Sequence, residues 1–328
     1  MKVGLDGFAL HPLKLDPFGM FDYCEEHGFA GVLLGGVGRL SKTLDHDELM
    51  AVRSYADERD LYSHVSVYPT NPHLSDKTTD EVVADLTAQI EAAAACDWHE
   101  FHSSLGSDKE RYDSDVSWAQ QFADSTEVLK RVAPVLREHG SRINLENHGD
   151  TTTFELTGLA EQVGPDVVGI CLDTANLLVF AENPVDAVTR AAPYVHLTHT
   201  KDAIIFFCET GLQRQGRAVG QGCIPWQEVL PVLGRYSPDL HLSIEDHKWF
   251  FYAHIFDEKW MAEQKDLSRD ELARTVRIAW EVDRKIRTGE LPDPEEYEAI
   301  PYADEMQQRL ESGRDYLNGL LERLGLEG

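Results

Sequence analysis

The sequence predicts an α/β fold, a (β/α)8 TIM barrel followed by C-terminal helices. Three observations carry that expectation. Short apolar, β-branched runs alternate with helix-period segments through residues 1–250, and eight such runs occur. Four of the later runs close on a carboxylate or an imidazole. In a parallel barrel the carboxyl ends of all strands meet on one face, which is where such residues would collect.

Taken in order, Val3 to Phe8 reads as the first strand and Pro17 to His27 as its helix. Gly31 to Gly35, Tyr62 to Tyr68 and His99 to Leu105 read as strands two to four, separated by helices at Asp47 to Asp60 and Thr79 to Cys96. Trp118 to His139 is a long helix before a fifth strand, Arg142 to His148. Helix Glu155 to Val163, strand Val167 to Thr174, helix Pro184 to Ala192 and strand Tyr194 to Asp202 continue the alternation. Helix Pro225 to Arg235 leads to the eighth strand, His241 to Asp246. Strict β-then-α order implies parallel pairing through right-handed crossovers, and eight units favour closure over an open sheet. No Gly-x-Gly-x-x-Gly turn follows the first strand, which weakens a dinucleotide-binding reading.

Two stretches exceed what a minimal barrel needs. Ala203 to Ile224 is too long for a tight turn and reads as a lid or substrate loop. After the eighth strand comes an aromatic run, Lys248 to Phe256, then a helix from Ser268 to Thr288, a Pro- and Glu-rich linker, and a last amphipathic helix, Ala303 to Leu324. The expected organisation is a barrel over residues 1–250 and, over 251–328, an extension that packs on the barrel or on a partner. The aromatic run reads first as packing or interface, with a ligand platform as its functional alternative.

The 328 residues are 42% hydrophobic and 27% charged, as in an ordinary globular protein. Thirty basic residues against 58 acidic ones give a net charge of −28, which repels a phosphate backbone and argues against nucleic-acid binding. No apolar run approaches membrane-spanning length and the first residues enter a strand directly, so a cytoplasmic location is expected. Cys24, Cys96, Cys171, Cys208 and Cys223 have no paired spacing and read as reduced thiols.

The chemistry lies in four strand ends: Asn144-Leu-Glu146-Asn-His148, Ile170-Cys-Leu-Asp173-Thr-Ala-Asn176, Val195-His-Leu-Thr-His199-Thr-Lys201-Asp202 and Leu242-Ser-Ile-Glu245-Asp-His247. Three carboxylates brought together would repel one another. With one imidazole they form a hard oxygen and nitrogen set for Mn²⁺, Mg²⁺, Co²⁺ or Zn²⁺. Glu146, Asp173, His199 and Glu245 are therefore the expected metal ligands. A cation there would polarise a substrate carbonyl and acidify the neighbouring C–H. His148, Glu146 and Glu245 are the candidate acids and bases, since strand parity puts His148 on the face of Glu146 and His247 on that of Glu245. Lys201, by the same parity beside His199, is placed to meet an oxyanion or a ligand carboxylate. Asn176 is expected to hydrogen-bond near the metal, and Arg217 and His247 complete the candidate substrate contacts. His11, His64 and His102 stay unassigned pocket candidates, and His196 reads as structural.

With Gly220-x-Gly222-x-Ile224-x-Trp226, these motifs resemble the sugar isomerase and epimerase superfamily with the xylose isomerase-like barrel. That superfamily also includes inosose-processing enzymes, ketose 3-epimerases and endonuclease IV. The resemblance implies the same four ligands and, most commonly, Mn²⁺. Asn176 departs from the histidine many epimerases carry there, and the segment from Lys248 onward is absent from compact members. The join Glu245-Asp-His247-Lys-Trp249 to an aromatic run and a helical tail looks most like the α subunit of C-glycoside deglycosidases. That likeness implies a lyase that cleaves the C–C glycosidic bond of a 3-oxo-C-glucoside, a small β subunit as partner, and His148 as the matching base. A sugar or sugar-phosphate isomerase or ketose 3-epimerase is the alternative, and endonuclease IV-like repair a distant one. Oligomerisation is expected, with a small-molecule sugar or 3-oxo-glycoside as ligand and neither nucleic acid nor membrane as partner.

Overall fold

The computed structural model describes residues 1–327. Eight parallel strands form the barrel: β1 (Lys2–Asp6), β2 (Gly31–Gly36), β3 (Tyr62–Ser66), β4 (Glu100–Ser103), β5 (Arg142–Glu146), β6 (Val168–Asp173), β7 (Val195–His199) and, after the two strands of a hairpin, β10 (His241–Ile244). The sheet runs β10-β1-β2-β3-β4-β5-β6-β7. Its last seam closes through one parallel bridge, Thr200 to Ile244, with the Thr200 N–H donating to the Ser243 carbonyl at 2.7 Å. The expected barrel is thus the observed one.

Local chemistry explains why the helices start where they do. Asp16, Thr78, Ser117 and Thr152 each cap a helix with a side-chain oxygen, and Thr78–Glu81 and Thr152–Glu155 form reciprocal capping boxes. Apolar faces of these helices join one core with the outward-facing strand residues, among them Leu86, Ile90, Val128, Leu129 and Leu159. The barrel interior is more polar. Tyr62 Oη lies 2.9 Å from Ser243 Oγ, and His64 Nε2 lies 2.8 Å from His241 Nδ1 across the bore.

Between β7 and β10 the expected loop is instead an antiparallel hairpin, β8 (Asp202–Cys208) and β9 (Gly211–Arg217). The aromatic run supplies a third strand, β11 (Phe250–Ala253), which pairs with β9. The two excess stretches therefore form one sheet. Strand alternation divides its faces. Ile204, Phe206 and Phe250 pack with Ile278 and Val282 of the helix Arg269–Arg287, while Ala203, Ile205, Leu212 and Ala253 join the main core. The last helix, Tyr302–Leu324, packs on β1, β10 and the helix Trp226–Tyr236, the position of an eighth barrel helix. Among the described residues no helix is long and apolar enough to cross a membrane.

Candidate metal centre

Glu146, Asp173, His199 and Glu245 converge at the carboxyl end of the barrel. All four are buried, and one ligand atom from each lies within 4.8 Å of the others. His199 Nδ1 stands 3.1 Å from Glu146 Oε1 and 3.0 Å from Glu245 Oε2. Buried polar atoms in folded proteins are almost always paired. Yet Glu146 Oε1, Asp173 Oδ2, Glu245 Oε2 and both ring nitrogens of His199 have no hydrogen-bond partner. Three carboxylate oxygens and an imidazole nitrogen, packed at ligand-to-ligand spacing with the Lys201 ammonium as the cation beside two of them, fit a small divalent cation.

The other oxygens of these carboxylates are held by the surrounding chain. His102 Nε2 lies 3.0 Å from Glu146 Oε2, and its Nδ1 is 2.9 Å from Ser66 Oγ. Asp173 Oδ1 accepts the N–H groups of Ala175 and Asn176, both at 2.9 Å. Asn147 clamps the Asp173 backbone through both its amide atoms at 2.8 Å. Asp6 Oδ2 stands 3.5 Å from His199 Nε2, behind the imidazole. Such outer contacts fix which atom faces the cation. His102 was among the unassigned histidines of the sequence, and Asp6 was missed. Its signal was available, because Val3-Gly-Leu-Asp6 is another apolar run that ends on a carboxylate.

Lys201 is buried and reaches 2.8 Å from both Asp173 Oδ2 and Glu245 Oε2. Burial disfavours its ammonium, but Asp173 and Glu245 outweigh that and hold its pKa above the ordinary value. Burial pushes the Glu146 and Glu245 carboxyls up, and neighbouring cationic groups, His199 for both and Lys201 for Glu245, bring them well below the usual range. Asp173 is left raised by its burial. Parity along a continuous strand is not what places Lys201, since β7 ends at His199. The carboxylate contact foreseen for it is nevertheless present.

The other candidates divide. His148 lies beyond the end of β5, so strand parity does not place it either. It lines the same cavity as Glu146, His199 and Glu245, about 570 Å³ in volume. Its Nδ1 is 3.0 Å from the Gly106 carbonyl, which can only accept, so Nδ1 carries the proton and Nε2 is the basic nitrogen. His247 is buried against Glu245, Nε2 to Oε1 3.7 Å, and burial lowers its pKa to about 3. Asn176 touches the centre through its backbone N–H. Arg217 is drawn elsewhere: its guanidinium stacks 3.5 Å over Tyr297 and donates to Gln215 Oε1 at 2.6 Å. The physical reason is strand alternation, which turns Arg217 with Gln215 toward the C-terminal segment. Asp202 of the His199-x-x-Asp202 motif is structural, accepting from Gly220, Ile224 and Trp226 Nε1. A Cβ on Gly222 would fall 2.0 Å from Asp202 Oδ1, so that turn requires glycine.

Residues 21–285 match the family model described as xylose isomerase-like TIM barrel. The chain belongs to that family. An uncharacterised protein of Escherichia coli strain K12, YihM, is 24% identical over 263 residues, 77% of this chain and 75% of its own length. The fold resembles D-psicose 3-epimerase with D-tagatose from Clostridium cellulolyticum H10, with TM-score 0.63 and 17% identity, over 87% of this chain and 99% of that one. It also resembles 3-keto-D-glucoside 4-epimerase, YcjR, from E. coli, with TM-score 0.56 and 14% identity, over 81% of this chain and 100% of the other. Enzymes that act on sugars thus share the architecture.

Proposed function

We propose that this chain is a divalent-metal-dependent enzyme of keto-sugars that works by removing a proton next to the carbonyl, as an isomerase or epimerase. The observation that carries the reading is the convergence of ligand atoms of Glu146, Asp173, His199 and Glu245 that make no hydrogen bond, beside a cavity lined by Glu146, His199, Glu245 and His148. When bound there, a divalent cation acts as a Lewis acid on the substrate carbonyl. The chain supplies the rest. His148 Nε2 accepts the carbon-bound proton, and its Nδ1–H bond to Gly106 keeps the ring in the basic tautomer. Glu245, on another strand and with Oε1 turned to His247 at 3.7 Å, is the group that would relay a proton from water to the opposite face, so that the proton taken up by His148 is balanced by one drawn from solvent. Return to the same carbon gives an epimer, and return to the former carbonyl carbon gives an isomer. The epimerase structures that share the fold support this reading.

The first half-reaction would equally serve a C–C lyase of the C-glycoside deglycosidase α-subunit kind, assisted by a small second subunit. One observation favours that second reading. Phe8 lines the cavity and is exposed, and exposed Trp249 stands 5.9 Å from it and 4.5 Å from His247, a surface suited to an aromatic aglycone. Mn²⁺-loaded protein incubated in D₂O with a panel of ketoses and 3-keto-glycosides decides between them by NMR. Deuterium at the carbon beside the carbonyl, lost in His148→Gln and on chelation, is the expected result. Released aglycone would select the lyase. No exchange on any member would sink both.

A further inference from the structure

Among the described residues Arg214 is a buried guanidinium with all three of its nitrogens unpartnered. It sits in the middle of β9, paired to Ile205 on one side and Phe251 on the other. Its flanking residues turn away from the barrel: Gln215 bonds to the Pro294 carbonyl and to Glu298. Leu212, on the same side of the strand as Arg214, lies in the main core, and Gly216 on that side is so close to the loop after β10 that a Cβ would fall 2.3 Å from the His247 carbonyl. Alternation therefore aims Arg214 from the sheet down onto the carboxyl end of the barrel.

There it is 1% exposed, and Nε, Nη1 and Nη2 all lack a hydrogen-bond partner. The Phe251 ring lies 4.9 Å from its guanidinium carbon. Burying an unpaired guanidinium costs far more than one cation–π contact returns. The opposite charges that act most strongly on it belong to Asp173 and Glu245, two of the four ligand residues. A cation held by those carboxylates would take up their charge and compete with the Lys201 ammonium, 2.8 Å from the same two oxygens. Arg214 then loses its compensation at the moment the site is loaded. An anion is the partner that restores it.

We propose that Arg214, and not Arg217, is the guanidinium that meets the substrate, gripping through its planar fork the pair of adjacent oxygens that becomes negative when the keto-sugar loses its proton. This rests on the reading above that the four-ligand cluster holds a divalent cation.

The test is calorimetric titration of the Mn²⁺-loaded full chain with acetohydroxamate, a planar anion with two adjacent oxygens that needs no turnover. Arg214→Met is expected to weaken binding roughly tenfold or more, the loss of charge-assisted hydrogen bonds, while Arg217→Met leaves it unchanged. Added guanidinium ion is expected to restore binding to Arg214→Ala, which a merely structural role would not allow. Should Arg214→Met fail to fold, Arg214→Lys keeps the charge without the fork and is expected to bind measurably more weakly than wild type. Equal affinity in wild type, Arg214→Met and Arg214→Lys, or no binding by loaded wild type, overturns the proposal. Hydroxamate binding that depends on Arg214, with no deuterium exchange on any sugar, would instead retain this contact and remove the proposed reaction.

Discussion

Glu245 and Asp246 are neighbours at the end of the same strand, both buried, yet they lead into opposite kinds of ionic cluster. Glu245 turns to the metal centre, where four crowded ligand groups share one ammonium, Lys201, and several of their atoms make no hydrogen bond. Asp246 turns outward and is gripped by both arms of Arg309, Nε and Nη2 at 2.6 Å. Arg309 also contacts Tyr297 Oη, and nearby Lys248 donates to the Tyr297 and Ile300 carbonyls at 2.8 Å and pairs with Glu305. The second cluster anchors the C-terminal segment to the barrel, with nearly every polar atom matched. Completeness marks structure, and incompleteness marks a place kept for something else.

The contrast breaks if the two residues respond alike to neutralisation. Glu245→Gln is expected to lower deuterium exchange by a factor on the order of a thousand while lowering the urea midpoint only slightly, because Lys201 keeps Asp173 as its second partner. Arg309→Met is expected to do the reverse. It should cost about 3–5 kcal/mol of stability by stranding buried Asp246, with Mn²⁺ stoichiometry preserved in the folded fraction. A Glu245→Gln protein that melts early, or an Arg309→Met protein that melts with wild type, would erase the distinction.

A milder test concerns the bore. Burial lowers the pKa of His64 to about 3 and of His241 to about 4, both below the ordinary 6.5. Folded values that lie low mean that the neutral rings contribute stability above about pH 6.5, and that this is lost as pH falls toward the folded values. Urea unfolding at pH 5 should therefore show a loss of up to about 2 kcal/mol per histidine relative to pH 7. The His64→Gln, His241→Gln double variant should flatten that slope, and an unchanged slope would assign acid lability elsewhere. The smallest expected effect is at Trp249, whose φ of +124° is strained for any residue but glycine. Trp249→Gly should be neutral or stabilising by about 1 kcal/mol in melts, although it removes an exposed ring beside the cavity.

Most of the barrel was legible because its signals are local: apolar runs of strand length, caps, and polar residues at strand ends. The four ligands were legible for the same reason, each closing its own strand. Legibility failed where position depends on pairing between distant segments. Ile204-Ile-Phe-Phe207 and Gly211-Leu-Gln-Arg-Gln215 look like loop until they are seen to pair, and no local pattern joins them to Phe250–Ala253. That hidden sheet decides which arginine faces the barrel. Parity arguments for His148 and Lys201 assumed strands two residues longer than those that form, and the loops beyond happen to return both side chains to the centre.

One feature of the architecture bears on how the chain comes to be made. β1 pairs with β10, some 240 residues downstream, and the helix that covers both, Tyr302–Leu324, is synthesised later still. A nascent chain thus carries seven strands with two unpartnered edges, β1 and β7, until β10 emerges, and an uncovered apolar seam until the helix Tyr302–Leu324 follows. The three-stranded sheet and the helix Arg269–Arg287 are translated partly within that interval. Aggregation during synthesis should therefore be most sensitive to delays over the codons for residues 241–324, where slow decoding would prolong the life of an open barrel.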